Sequence, residues 1–279
     1  MDTGKVWLVT GASKGLGLAL VKKLIAGGYR VAATSRRLQS LADAAGTFDE
    51  KVFLPLEVEL TSEKSVSEAV SRAVAHFGRI DVLVNNAGYG IGGAVEELSR
   101  QEIKASFDIN VFAVIRTMQS VMPYFRAQKS GSIINISSIA GFAPASGWAM
   151  YASTKYAVTG LSEVMAEDVK ELGIKVTVVA PGAFRTEFLE DTSLVFAEKK
   201  IDNYQAIRAS HGKYAAMNGT QPGNPDQLAR VLIDLAEDPD PPVRLYLGSD
   251  AYQRATEKIR VLSEELESNK AVSFSTDFN

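Results

Sequence analysis

Val6-Trp7-Leu8-Val9-Thr10-Gly11-Ala12-Ser13-Lys14-Gly15-Leu16-Gly17-Leu18-Ala19-Leu20 decides the reading of the chain. Val6 to Thr10 is a short apolar, β-branched run and predicts a strand. The apolar spacing from Leu16 to Ala26 predicts a helix, which Gly27-Gly28 ends. Between them, Gly11, Gly15 and Gly17 lack a Cβ, so the backbone can approach a ligand closely. The helix that follows presents free N–H groups and the positive end of its dipole. A strand, a glycine loop with Ser13 and Lys14, and a helix opening at Leu16 predict a cradle for phosphate groups.

Outward from that loop the alternation continues. Strands are predicted at Val31 to Ser35, Val52 to Leu56, Val82 to Asn85, Ser132 to Ile136, Val176 to Val179 and Val243 to Leu247. Helices are predicted at Leu38 to Ala45, Ser62 to Phe77, Met150 to Leu172 and Asp226 to Ala236. A longer helical stretch, Ser99 to Ala127, is expected to bend near Pro123. Strand–helix alternation implies parallel pairing through right-handed crossovers, with helices on both faces. The predicted fold is therefore α/β: a Rossmann-type doubly wound parallel sheet of about seven strands, one domain over 1–279. Ligands of such sheets sit at the carboxyl ends of the strands.

The composition excludes several chemistries. The 279 residues include no Cys and two His, so no thiolate, disulfide, iron–sulfur cluster or three-His metal site is expected, and no metal at all. Acid–base work then falls to carboxylates, Lys or a perturbed Tyr. A net charge of −3 argues against a nucleic-acid partner. The opening Met1-Asp2-Thr3-Gly4-Lys5 has no apolar signal-peptide core, and no run is long enough to span a membrane. The expected location is the cytoplasm.

A literal G-x-G-x-x-G also occurs at Gly88, Gly90 and Gly93, with Asp108 beyond. Asp108 falls within the predicted long helix, where an acid does not reach a ribose, so this stretch reads as a flexible loop over the cleft. An NAD-binding chain places Asp or Glu about 20 residues after the glycines. Here the second strand ends Ala33-Thr34-Ser35-Arg36-Arg37, with no acid from Tyr29 until Asp43. Arg36, helped by Lys14, suits a 2′-phosphate, which a carboxylate would repel. The expected cofactor is NADP(H).

Tyr151 and Lys155 lie four residues apart on one predicted helix and share a face. Taken with Thr10-Gly11-x-x-x-Gly15-x-Gly17, Asn85-Asn86-Ala87-Gly88, Asn110, Ser138 and Pro181-Gly182 followed by Thr186, all in this order, the chain resembles the short-chain dehydrogenase/reductase family from about residue 4 to 250. That resemblance implies an NADP-preferring oxidoreductase. Tyr151 would be the general acid for ketone reduction and the base for alcohol oxidation, with its pKa lowered by Lys155 and the nicotinamide charge. Lys155 would hold the nicotinamide ribose, Ser138 would orient the substrate carbonyl, and Asn110 would hold a proton-relay water. Asn86, Ala87 and Gly88 would line the adenosine side and the central sheet, Thr186 the nicotinamide carboxamide or phosphate, and Pro181 and Gly182 would also bind the cofactor. Where the family has an aspartate for the adenine amine, this chain has Glu57, followed by Val58 as an apolar wall.

Substrate choice is expected in a lid over about 183–223, which carries Phe184, Phe188, Leu194, Phe196, Tyr204, His211, Tyr214 and Met217. Its apolar and aromatic character suggests a hydrophobic ketone, aldehyde or steroid-like carbonyl or alcohol. Trp148 and Tyr89 are candidates for the pocket border. A C-terminal helix and tail over about 249–279 either dock on the domain or face a partner. The resemblance suggests a homodimer or homotetramer. A 3-oxoacyl thioester reductase with the same machinery, or a non-catalytic NADP-sensing protein, are the alternatives.

Overall fold

The computed structural model describes residues 4–46, 49–190 and 193–278. Met1 to Thr3 of the N-terminal reading, Asp191 and Thr192 of the expected lid, and Asn279 at the end of the tail lie outside the described residues. The elements run β1 (Val6–Val9), α1 (Gly15–Ala26), β2 (Arg30–Ser35), α2 (Leu38–Ala45), β3 (Phe53–Glu57), α3 (Glu63–Phe77), β4 (Val82–Asn85) and β5 (Gly90–Gly92). Then follow α4 (Arg100–Phe107), α5 (Ala113–Gln128), β6 (Gly131–Ile136), α6 (Ala149–Asp168), β7 (Ile174–Pro181) and β8 (Leu194–Phe196). The chain closes with α7 (Gln205–Ala216), α8 (Pro225–Glu237), β9 (Arg244–Leu247), α9 (Ser249–Ser268) and α10 (Lys270–Phe274).

Seven strands form one parallel sheet in the order β3-β2-β1-β4-β6-β7-β9. The order reverses between β1 and β4, which opens the crevice where doubly wound folds bind ligands. Two cores explain why the strands are apolar on both sides. On one face Val66 and Val70 of α3, Val114 and Val121 of α5 and Val158 of α6 pack on Leu8, Leu83 and Ile133. On the other, Leu20 and Leu24 of α1 with Leu228 and Leu232 of α8 pack on Val9, Val31 and Val84. Capping follows local chemistry: Ser62 caps α3, Asn224 caps α8, and Ser99 and Glu102 form a capping box on α4.

Pro123, where a bend is expected, sits inside continuous α5. Pro123 cannot donate to the carbonyl of residue 119, and Gln119 is an exposed residue. The irregularity lies upstream, in a π-helical turn over Asp108–Phe112 that turns Asn110 into the interior. The Gly88–Gly93 stretch is also no loose loop. Gly90–Gly92 pairs in parallel with Leu194–Phe196 as a second, two-stranded sheet, which the glycines permit because a Cβ on Gly90 would lie 2.6 Å from Leu194 Cδ1.

Candidate active site

A cavity of about 1080 Å³ opens at the carboxyl ends of β1, β2, β4, β6 and β7. Its first wall is the glycine loop. Gly11 and Gly15 have φ of +64° and +59°, left-handed values that glycine adopts without strain. A Cβ on Gly11 would stand 2.7 Å from Ala87 Cα, and one on Gly17 only 2.4 Å from Asn86 Nδ2. The loop is braced from β4. Asn86 Nδ2 donates to Thr10 O and Gly11 O at 3.0 and 2.9 Å, while Thr10 Oγ1 accepts from Asn86 N and Ala87 N at 3.0 and 3.2 Å. Gly11, Ser13, Lys14, Gly15 and Leu16 line the cavity; Gly17 stands behind them and sets the loop against Asn86. No sequence pattern singles out Glu187. Its Oε2 accepts from Gly15 N at 3.2 Å, placing an anion at the N-terminus of α1.

Arg36 sits exposed on the cavity rim at the end of β2. Glu59, also on that wall, has its carboxyl held below the usual range, first by the Thr61 amide and hydroxyl and in smaller part by Arg36. Glu57, expected at the adenine, turns elsewhere: its Oε2 accepts from Leu38 N at 3.2 Å. Ser35 is in register with Glu57, so α2 begins beside it and its unbonded N–H groups and dipole attract the carboxylate. Glu57 does not line the cavity, whereas Val58 does.

The third wall carries Ser138, Tyr151 and Lys155. The i, i+4 spacing on α6 points Tyr151 and Lys155 the same way, and Lys155 Nζ lies 5.8 Å from the Tyr151 ring centre. Ser137 fixes α6 against β6, its Oγ donating to Lys155 O at 3.0 Å. Ser138 Oγ accepts from Ala140 N at 3.1 Å and bonds the Tyr151 hydroxyl. Burial pushes the Tyr151 phenol up to about 12, against the Ser138 bond that lowers it. Burial brings Lys155 down to about 8, while its Nζ donates to Ile136 O at 2.9 Å. The chain's own groups thus hold Tyr151 as a phenol, and the nicotinamide charge that the resemblance invokes to lower its pKa is not among them. Asn110 is fully buried behind this wall. Its Nδ2 donates to Tyr89 O at 2.9 Å and its Oδ1 accepts from Tyr89 N at 3.0 Å. Gly88 lies between it and Lys155: a Cβ there would be 2.9 Å from Asn110 Oδ1 and 3.4 Å from Lys155 Nζ.

Pro181, Gly182 and Thr186 line the same cavity after β7. Beyond them the 193–217 stretch is clipped to the body. Buried Glu97 accepts from Ala94 N at 2.8 Å and Ile201 N at 2.7 Å and pairs with Arg208, which together hold its carboxyl down to about 2. Tyr204 bonds Glu96 nearby. Of the expected aromatic residues, Phe184, Phe188 and Tyr214 line the cavity, with Leu194, Met217, Trp148 and Tyr89. Phe196, Tyr204 and His211 do not: His211 is wedged 4.8 Å from both the Trp148 and Phe196 rings, with Nε2 3.1 Å from Gly147 O. Three side chains on the cavity wall have buried polar atoms without a partner among the described residues: the Gln221 amide, Trp148 Nε1 and Asp250 Oδ1. No periodicity marks Gln221 or Asp250, so sequence reasoning misses both. Asp250 Oδ2 accepts from Ala183 N at 2.8 Å, which sets it beside Gly182.

Among the described residues no helix is long and apolar enough to cross a membrane, and no group of His, Asp and Glu is placed to hold a metal. Residues 5–194 match the family model for short chain dehydrogenase. The chain is 35% identical over 260 residues to oxidoreductase BOA17 of Botryotinia fuckeliana, covering 93% of this chain and 94% of the relative. It is similar to a solved short-chain dehydrogenase from Streptomyces avermitilis, with a TM-score of 0.91, 34% identity and coverage of 98% and 99%. It is also similar to the 3-ketoacyl-(acyl-carrier-protein) reductase of Brucella melitensis complexed with NADH, with a TM-score of 0.73, 26% identity and coverage of 88% and 98%. Other solved neighbours hold NADP or NADP+.

Proposed function

Because the chain belongs to the short chain dehydrogenase family and is an oxidoreductase of CH–OH and C=O groups, we propose that it reduces a hydrophobic ketone or aldehyde, or oxidises the matching alcohol, with NADP(H) and with Tyr151 as acid/base. The observation that carries this reading is one cavity lined at one end by Arg36 and the glycine loop and further along by the Ser138-bonded phenol of Tyr151.

The glycine loop suits such a cofactor, since Gly11 and Gly15 line the cavity in left-handed conformations and add no side chain to it. Gly11, Ser13, Gly15 and Leu16 would receive the pyrophosphate, and Glu187 would give up Gly15 N to it. Arg36 and Lys14 would take the 2′-phosphate, with Val58, Asn86, Ala87 and Gly88 on the adenosine side. Pro181, Gly182 and Thr186 would border the nicotinamide, and Lys155 its ribose. Bound NADPH supplies the hydride to the carbonyl carbon. Ser138 donates to the carbonyl oxygen and orients it. Tyr151, held as a phenol by burial, gives its proton to that oxygen as negative charge develops there. The Lys155 ammonium stabilises the phenolate left behind. Asn110 holds the Tyr89 backbone in place behind Lys155, where it would keep a relay water.

The segment over 183–223 acts as the substrate lid, clipped down through Glu97. Its apolar wall of Phe184, Phe188 and Leu194 supports a hydrophobic substrate. A second reading, reduction of a 3-oxoacyl thioester, is supported by the name of the Brucella neighbour. Turnover against matched simple ketones and 3-oxoacyl thioesters separates the two. The reading itself is tested by Tyr151→Phe. Reduction falls by about 10²–10⁴-fold, the usual contribution of a positioned acid, while NADPH binding persists. Turnover equal to wild type removes Tyr151 from the chemistry.

A further inference from the structure

Gln221 is 1% exposed, and neither its Nε2 nor its Oε1 has a hydrogen-bond partner among the described residues. Its main chain is held in place. Gln221 O accepts from Arg185 Nε at 3.2 Å, and two residues on Gly223 donates to Ala183 O and accepts from Arg185 N, each at 2.9 Å. The side chain stands on the cavity wall. Trp148 Nε1 is a second buried group on that wall without a partner among the described residues. Tyr214, Met217 and Gln221 lie on one stretch of chain, through the end of α7 and the Met217–Thr220 turn, all three lining the cavity, and the Tyr214 ring packs 5.1 Å from Trp148. Tyr214 also raises the pKa of Tyr151, so that stretch starts near the proton donor.

A buried amide with both ends unpaired costs stability that a Met or Leu of similar size would not. Building on the oxidoreductase reading, we infer that the Gln221 amide, with the Trp148 indole, is a recognition point for a hydroxyl or amide group on the substrate, a second polar group on an otherwise apolar carbonyl compound. The amide asks for a partner that both donates and accepts. A hydroxyl or amide does so; a carboxylate only accepts and an ammonium only donates. The indole N–H adds a need for an oxygen acceptor. The nicotinamide carboxamide has the same chemistry, so the test separates substrate from cofactor.

The test uses two ketones of equal chain length, one carrying a hydroxyl where the other carries hydrogen, with wild type, Gln221→Met and Trp148→Phe. Wild type prefers the hydroxylated ketone. Gln221→Met lowers kcat/KM for it by about ten- to a hundredfold, and leaves the plain ketone and the NADPH Kd unchanged. Trp148→Phe shifts the same ratio in the same direction. The free Gln221→Met protein melts no lower than wild type, because the amide it loses had no partner among the described residues. Equal loss on both ketones overturns the inference, as does a weakened NADPH Kd with the preference intact, which assigns the amide to the cofactor. A lower melting temperature of the free variant overturns it too. If neither ketone turns over with NADPH or NADH, the oxidoreductase reading is what fails. The binding preference is then read from the melting shift that the two corresponding alcohols give with NADP+ present, and equal shifts overturn the inference.

Discussion

The two ends of the cavity are made of different material. At the Arg36 end the wall is mostly backbone: the glycine loop, braced by Asn86 and Thr10 and backed by the parallel strands β1 and β4. At the far end the wall is side chains on a segment joined to the body by the small sheet of β5 with β8, by the buried Glu97, and by Tyr204 and His211. A backbone wall tolerates almost no added atoms and recognises what all ligands of its class share. A side-chain wall accepts substitution and sets which substrate is taken. Changes at the two ends are therefore expected to differ in size and in kind.

Gly11→Ala is the most severe test of the first half of that contrast. The new Cβ meets the Ala87 backbone at 2.7 Å from a left-handed φ of +64°, so the loop is displaced. NADPH affinity, measured by fluorescence titration, falls by about a hundredfold; a tolerated alanine breaks the comparison. Next is Arg36→Ala. Losing one charge-assisted bond costs ~1.5–3 kcal/mol, or about ten- to a hundredfold in NADPH affinity, with NADH little changed. Arg36→Asp moves preference toward NADH, read as kcat/KM for both cofactors. If Arg36→Ala weakens both cofactors alike, the specificity argument is lost.

Lys155→Met tests a stability cost at the junction of the two ends. Lys155 is brought from 10.5 down to about 8, so between those values the native protein binds fewer protons than the unfolded chain. Stability of the cofactor-free protein therefore rises with pH through that window, by about 1–2 kcal/mol between pH 7 and 9.5. In Lys155→Met this rise is absent, and the variant is more stable than wild type at pH 7 while losing activity. Denaturant melts at both pH values check it; a rise that survives in the variant shows that another group is responsible. The smallest effect is on the lid side. Gly212 lies inside α7 with nothing within 4 Å of an added Cβ. Gly212→Ala raises stability by about 0.5–1 kcal/mol and leaves cofactor binding alone.

The same contrast explains what was legible in the sequence. The glycine loop and the Tyr151–Lys155 pair are local patterns, in which spacing along the chain fixes geometry, so residue order alone is enough to place both. Gln221, Asp250 and Glu187 take their positions from contacts 30 or more residues away, with Arg185, Ala183 and Gly15, and no local pattern announces them. Glu57 went astray for a related reason, since a neighbouring helix terminus draws it, and no local pattern announces the π turn that the hydrogen bonds of Asn110 to Tyr89 accompany. The strand alternation was readable throughout, because burial on both faces writes itself into composition.

The most direct measurement follows one atom. A ketone is reduced with NADPH carrying deuterium at both C4 positions of the nicotinamide, and the product alcohol is weighed by mass spectrometry. One deuterium is expected at the carbinol carbon with wild type, and product formed about 10²–10⁴-fold more slowly by Tyr151→Phe although NADPH stays bound. Consumption of NADPH without deuterium in the alcohol, or product from Tyr151→Phe at the wild-type rate, would contradict that expectation.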